Sequence, residues 1–130
     1  MSNNFKNTLE SWLLEGLSSN IPKSVKAFSF NLFEIAEDTG SKFSIELIGT
    51  SEFTPNNEDW ACEEVWEPNR RSLAIPIEFS GENWEKCLNT MKENIIELID
   101  SNETIAKVIK SREGVGLGFI DGDLEIIWKH

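Results

Sequence analysis

The sequence predicts an α+β domain: a mostly antiparallel sheet of about five to six strands ending in a C-terminal hairpin, with about three helices packed on it. Three observations carry this expectation. Asp121-Gly122 sits between two apolar runs, the strongest short-range hairpin signal, because a type I′ turn needs φ > 0 at both central residues. Trp84, Cys87, Leu88, Met91, Ile95, Leu98 and Ile99 recur at the spacing of one helical face. Between residues 25 and 79, apolar and polar side chains alternate with period two in several short runs. With no internal repeat or linker composition, residues 1–130 read as a single domain.

Taken in order, Phe5, Leu9, Trp12, Leu13 and Leu17 line one face of a helix over about residues 4–18, which Ser18-Ser-Asn-Ile-Pro22 terminates. Phe28, Phe30 and Leu32 then alternate with Ala27, Ser29, Phe33 and Ile35 in a strand. Glu37-Asp-Thr-Gly40 is a turn cluster, and Phe43, Ile45 and Leu47 begin a second strand antiparallel to the first. Residues 49–57 read as a loop. Residues 58–67 read as strand or extended chain, with Trp60, Cys62 and Trp66 on one side and Asp59, Glu63 and Glu67 on the other. As a helix the same acids would share a face and repel one another. Glu67-Pro-Asn-Arg-Arg-Ser72 is a turn, and residues 73–79 form a strand that Pro76 confines to an edge or kinks. Ser80-Gly-Glu-Asn opens the long helix, which buries Cys87; Asp100-Ser-Asn breaks it, and Ile105, Val108 and Ile109 support a shorter one over 104–112.

In the terminal hairpin a two-residue turn would set Phe119 opposite Leu124, Leu117 opposite Ile126 and Val115 opposite Trp128, all on one side. Gly114, Gly116 and Gly118 would then leave the other side nearly bare. Either another group packs close to that backbone, or the glycines only relieve crowding.

The formal charge is −11, and residues 52–67 carry six acids with no lysine or arginine. Such a chain is repelled by nucleic-acid phosphates and by anionic membranes, and is drawn to a basic partner. No apolar run reaches the ~18 residues of a membrane span, and the first residues do not read as a secretory signal. Cys62 and Cys87, far apart and without metal-like spacing, read as reduced thiols of a cytoplasmic protein.

Catalytic signatures are missing. There is no nucleophile elbow, phosphate loop, dinucleotide-binding glycine pattern or zinc motif; the single histidine is His130, and there is no tyrosine. Asp121 and Asp123 flank Gly122 as turn residues, without the further oxygen ligands of a calcium loop. The expectation is therefore a non-enzyme with no cofactor and no metal. Aromatics ringed by carboxylates are the makings of a protein-binding patch, so the candidate partner-binding residues are Glu58, Asp59, Trp60, Glu63, Glu64, Trp66 and Glu67. The alternative is a solvated acidic face with both tryptophans turned into the core.

With Asp59-Trp60-Ala-Cys62, Trp66-Glu67-Pro68 and Gly118-Phe-Ile-Asp-Gly-Asp-Leu124, the chain resembles immunity proteins of bacterial polymorphic-toxin and contact-dependent growth-inhibition systems. That resemblance implies a cognate toxin domain as partner, often a nuclease, whose active site or substrate path is blocked. The family spans many unrelated folds, so it implies a partner class and no particular contact residue. The expected function is a cytoplasmic immunity-type protein that binds and neutralises a basic toxin domain. The alternatives are a protein-binding adaptor or scaffold domain, and a small-molecule or enzymatic domain using a pocket under the glycine face.

Overall fold

The computed structural model describes residues 2–36 and 40–130. In chain order these form α1 (Ser2–Leu17), β1 (Ala27–Glu34), β2 (Ser41–Thr50), a 3-10 helix (Glu58–Cys62), β3 (Glu64–Trp66), β4 (Ser72–Pro76), α2 (Ile77–Ser80), α3 (Trp84–Ser101), α4 (Glu103–Ile109), β5 (Gly114–Phe119) and β6 (Glu125–Lys129). The six strands make one sheet in the order β3-β2-β1-β5-β6, with β4 also paired to β2. This is the expected α+β architecture. Glu37, Asp38 and Thr39 of the expected turn lie outside the described residues.

β1 pairs antiparallel with β2 along its whole length, from Ala27 opposite Thr50 to Glu34 opposite Phe43. β3 and β4 share the far edge of β2 end to end, and Pro76 ends the ladder because it has no N–H to donate. The expected strand over 73–79 is corrected there: Ile77–Ser80 is a single helical turn that sends Phe79 into the core against Phe5, ring centroids 4.7 Å apart. β5 lies parallel to β1, Ala27 opposite Gly114 through Leu32 opposite Phe119. A parallel neighbour needs a crossover, and here the connection includes α3 and α4.

Asparagines cap both of these helices, and for α3 the cap is the last residue of the expected Ser80-Gly-Glu-Asn opening. The Asn83 side chain accepts the Lys86 N–H at 2.8 Å, and that of Asn102, which breaks α3, accepts the Ile105 N–H at 3.1 Å. One face of the sheet presents Phe28, Phe30, Leu32, Phe43, Ile45, Leu47, Ile75, Val115 and Leu117. They share a core cluster with Leu9, Trp12 and Leu13 of α1, Cys87, Met91, Ile95 and Ile99 of α3, and Ile105 and Ile109 of α4.

The hairpin differs from the expected register. Its open end is as anticipated, Gly114 opposite Lys129 and Val115 opposite Trp128, but Gly116 then faces Ile126 and Leu117 faces Glu125. Ile127 is the extra residue of a β-bulge, and one extra residue reverses the facing of everything beyond it. The turn is not type I′, since neither Asp121 nor Gly122 has φ > 0. Its hydrogen bond runs from the Gly122 N–H to the Phe119 carbonyl at 3.0 Å, so the hairpin connection spans residues 120–124.

Candidate functional site

The acidic segment is extended as expected only in its second half, at β3; its first half, Glu58–Cys62, is a 3-10 turn. Asn57 caps a 3-10 turn by accepting the Asp59 N–H at 2.9 Å, and β3 follows with a bulge of its own. Trp66 faces Gly49 and Glu64 faces Thr50, so Val65 is the extra residue and stands 47 % exposed. The bulge places Glu64 and Trp66, two apart in sequence, on opposite sides of the sheet. Trp66 packs on the helix-covered face, edge-on to Phe28 at 6.0 Å. Trp60 lies over the other face, 2 % exposed and 5.0 Å from Phe53 between ring centroids. The expectation of two tryptophans on one side is corrected: they are divided between the two faces, with Trp60 buried and Trp66 half-buried.

The five carboxylates all remain at the surface, though they are not equivalent. Glu58 accepts the Leu124 N–H at 2.5 Å and so ties the 3-10 turn to the hairpin. Glu64 and Glu67 gather with Glu46 around Arg71. The guanidinium contacts Glu64 through both terminal nitrogens (Nη2 to Oε1, 2.9 Å), Glu67 at 3.4 Å and Glu46 at 3.3 Å. The hydrogen bond to Glu64, and then that to Glu46, raises the Arg71 pKa above its ordinary value although desolvation lowers it. Glu46 also accepts from Asn31, whose side-chain oxygen accepts from Ser29, so a polar chain crosses this face of the sheet. Asp59 and Glu63 carry no counter-ion among the described residues.

The glycine strip is covered. Methyl groups built on Gly114 and Gly116 would meet the Phe53 ring and, at 3.0 Å, Cζ2 of Trp60. The segment between β2 and β3 thus lies against backbone that only glycine leaves open. The pocket considered under this face is taken up by Phe53, Trp60 and Leu124. A hollow of about 340 Å³ lies at the seam where Pro55, Glu58 and Trp60 meet Leu124, Glu125 and Ile126.

The sequence reading missed a larger feature. A groove of about 820 Å³ opens between the first turns of α3 and the tip of the hairpin, with Trp84, Leu88, Phe119 and Ile120 among its walls. The helical spacing counted Trp84 with the core, yet it is 55 % exposed, and Ile120 is 62 % exposed. Trp84 stands edge-on to Phe119, the last residue of β5, with ring centroids 6.2 Å apart. Burial of every position on a helical face requires the sheet to extend as far as the helix. Here the first residue of α3 borders the open groove instead.

Among the described residues, no three His, Cys, Asp or Glu side chains are grouped to hold a metal, and no helix is long and apolar enough to cross a membrane. Cys62 and Cys87 are both free thiols. No protein-family model, curated protein or solved structure matches this chain.

Proposed function

We propose that this chain is a cytoplasmic immunity-type protein that binds and neutralises a basic toxin domain through the acidic surface of residues 58–67. One observation carries the reading. Glu58, Asp59, Glu63, Glu64 and Glu67 are all exposed on a segment held from beneath by Trp60 and from the edge by Trp66. Carboxylates held in place on a docked segment lose less entropy on association than carboxylates on a free loop. Their unbalanced charge accelerates encounter with a cationic surface. In this reading the tryptophans support the patch, and Val65 is its exposed apolar contact.

The test needs a candidate toxin: a basic C-terminal domain, sought in the reading frame beside this gene. Affinity, association rate and inhibition of the domain's activity are measured for the parent and for Asp59→Lys combined with Glu63→Lys. These two acids are the appropriate pair, because Glu58, Glu64 and Glu67 serve internal contacts. The expected result is tight binding by the parent and an association rate roughly tenfold lower in the variant at low salt, converging as salt rises. The melting temperature should not change. Unchanged kinetics would remove this segment from the interface. Binding without loss of the domain's activity would favour the adaptor reading, and no binding by the parent would sink the immunity reading for that pair.

A further inference from the structure

We propose that the groove between α3 and the hairpin tip is a second docking surface, which takes a large apolar side chain of a partner protein flanked by lysine or arginine. This rests on the protein-binding reading above but not on the acidic segment, so the two can fail separately.

The walls and the rim argue for the same occupant. Trp84 and Ile120 are two of the most exposed large apolar side chains described, and they line one groove with Phe119 and Leu88. Exposed aromatics that converge on a concavity are typical anchor sites. Phe119 connects this wall to the core, edge-on both to Trp84 at 6.2 Å and to buried Phe43 at 5.5 Å. The hairpin tip is braced from behind by Glu58 on the Leu124 N–H and by the close approach of the Asp123 carbonyl to Gly118.

The rim is formed by Glu34, Asp121, Asp123 and Glu125, with no lysine or arginine in the lining. Lys92 of α3 neutralises Glu125, which the bulge at Ile127 turns towards the helix. Glu34, Asp121 and Asp123 have no counter-ion among the described residues. An apolar socket with unbalanced carboxylates at its mouth complements an apolar anchor beside cations, and Trp84 can also receive a cation on its ring face. A second copy of the chain would bring the same carboxylates face to face, and an anionic lipid surface or nucleic acid would be repelled.

The probe is a synthetic capped peptide, Lys-Lys-Leu-Phe-Lys-Lys, titrated into the ¹⁵N-labelled protein. Two control peptides replace lysine by glutamate or Leu-Phe by Gly-Gly. The Trp84 indole N–H is assigned by its disappearance in Trp84→Phe. The expected result is saturable shifts of that signal and of the 119–125 amides below about 2 mM peptide, weakening about fivefold between about 0.05 M and about 0.5 M salt. Both controls should bind roughly tenfold more weakly. Ile120→Ser should weaken binding with an unchanged melting temperature. Asp121→Asn combined with Asp123→Asn keeps the apolar walls and should lower both affinity and salt dependence. The proposal is overturned if Trp84 and residues 119–125 do not respond, if either control peptide binds as well, or if the shifts are confined to residues 58–67. The last outcome would leave the acidic segment as the docking surface.

Discussion

A methyl group placed on Gly116 would stand 3.0 Å from Cζ2 of Trp60, a tryptophan fifty-six positions earlier in the chain. That contact joins the acidic segment to the C-terminal hairpin, and substitutions along the glycine strip test it in graded form. Gly118→Ala should be the most damaging, because its methyl group would collide with the backbone carbonyl of Asp123, which no side-chain rotation relieves. A loss of about 1–3 kcal/mol in denaturant unfolding is expected, as for overpacked cores. Gly116→Ala should cost less, since the Trp60 ring and Leu124 can each yield a few tenths of an ångström. Neither glycine has positive φ, so alanine also gains about 0.4–1 kcal/mol through the unfolded chain. Equal stability of both variants would contradict the close approach at Gly118.

The Glu58 carboxylate is the other link across this seam. Replacing it by alanine should leave the Leu124 N–H without its partner and speed hydrogen exchange there selectively. The loss of global stability should be only about 0.5–1.5 kcal/mol, the usual net worth of one hydrogen bond. Unaltered exchange at Leu124 would show that the bond does not hold the hairpin tip in solution.

Arg71 serves three carboxylates at once. Arg71→Met keeps much of the side-chain bulk but leaves Glu46, Glu64 and Glu67 to repel one another, with Glu46 retaining only its bond from Asn31 among those described. Destabilisation of about 1–3 kcal/mol is expected from the partly buried Glu46. It should shrink as salt screens the repulsion. Glu67→Gln, at the exposed margin, should fall within about 0.5 kcal/mol of the parent. A salt-independent loss in Arg71→Met would assign the residue a packing role.

The two thiols should behave oppositely. Cys62 is exposed and should react with a thiol reagent in the folded protein, whereas Cys87 is buried and should react only on unfolding. Burial pushes the Cys87 pKa up from 9.0 to about 12. The raised value favours the folded protein at full strength below pH 9. Between pH 9 and about 12 the unfolded chain releases a proton that the folded one retains, so stability falls as pH rises. Cys87→Ala should flatten that alkaline decline, and an unchanged slope would show that other groups produce it.

The sequence alone determined which faces are apolar. Period-two and 3.6-residue patterns record, residue by residue, which side of an element leaves water. The α+β class, α1, the antiparallel β1–β2 pair, the buried face of α3 and the position of the final hairpin follow from them. The glycine strip left open whether another group approaches that backbone. What approaches it depends on contacts between distant segments, and only the tertiary structure placed Phe53 and Trp60 there.

The two bulges were equally invisible. One extra residue at Val65 divides Glu64 from Trp66, and one at Ile127 turns Glu125 towards Lys92 and Ile126 towards the glycines. A bulge is set by how strands of a twisted sheet meet their neighbours, and carries no periodic signal of its own. Trp84 shows the same limit from the other side. Its spacing marks the face it shares with the core. Whether other structure covers it depends on how distant elements meet, and there it borders the open groove.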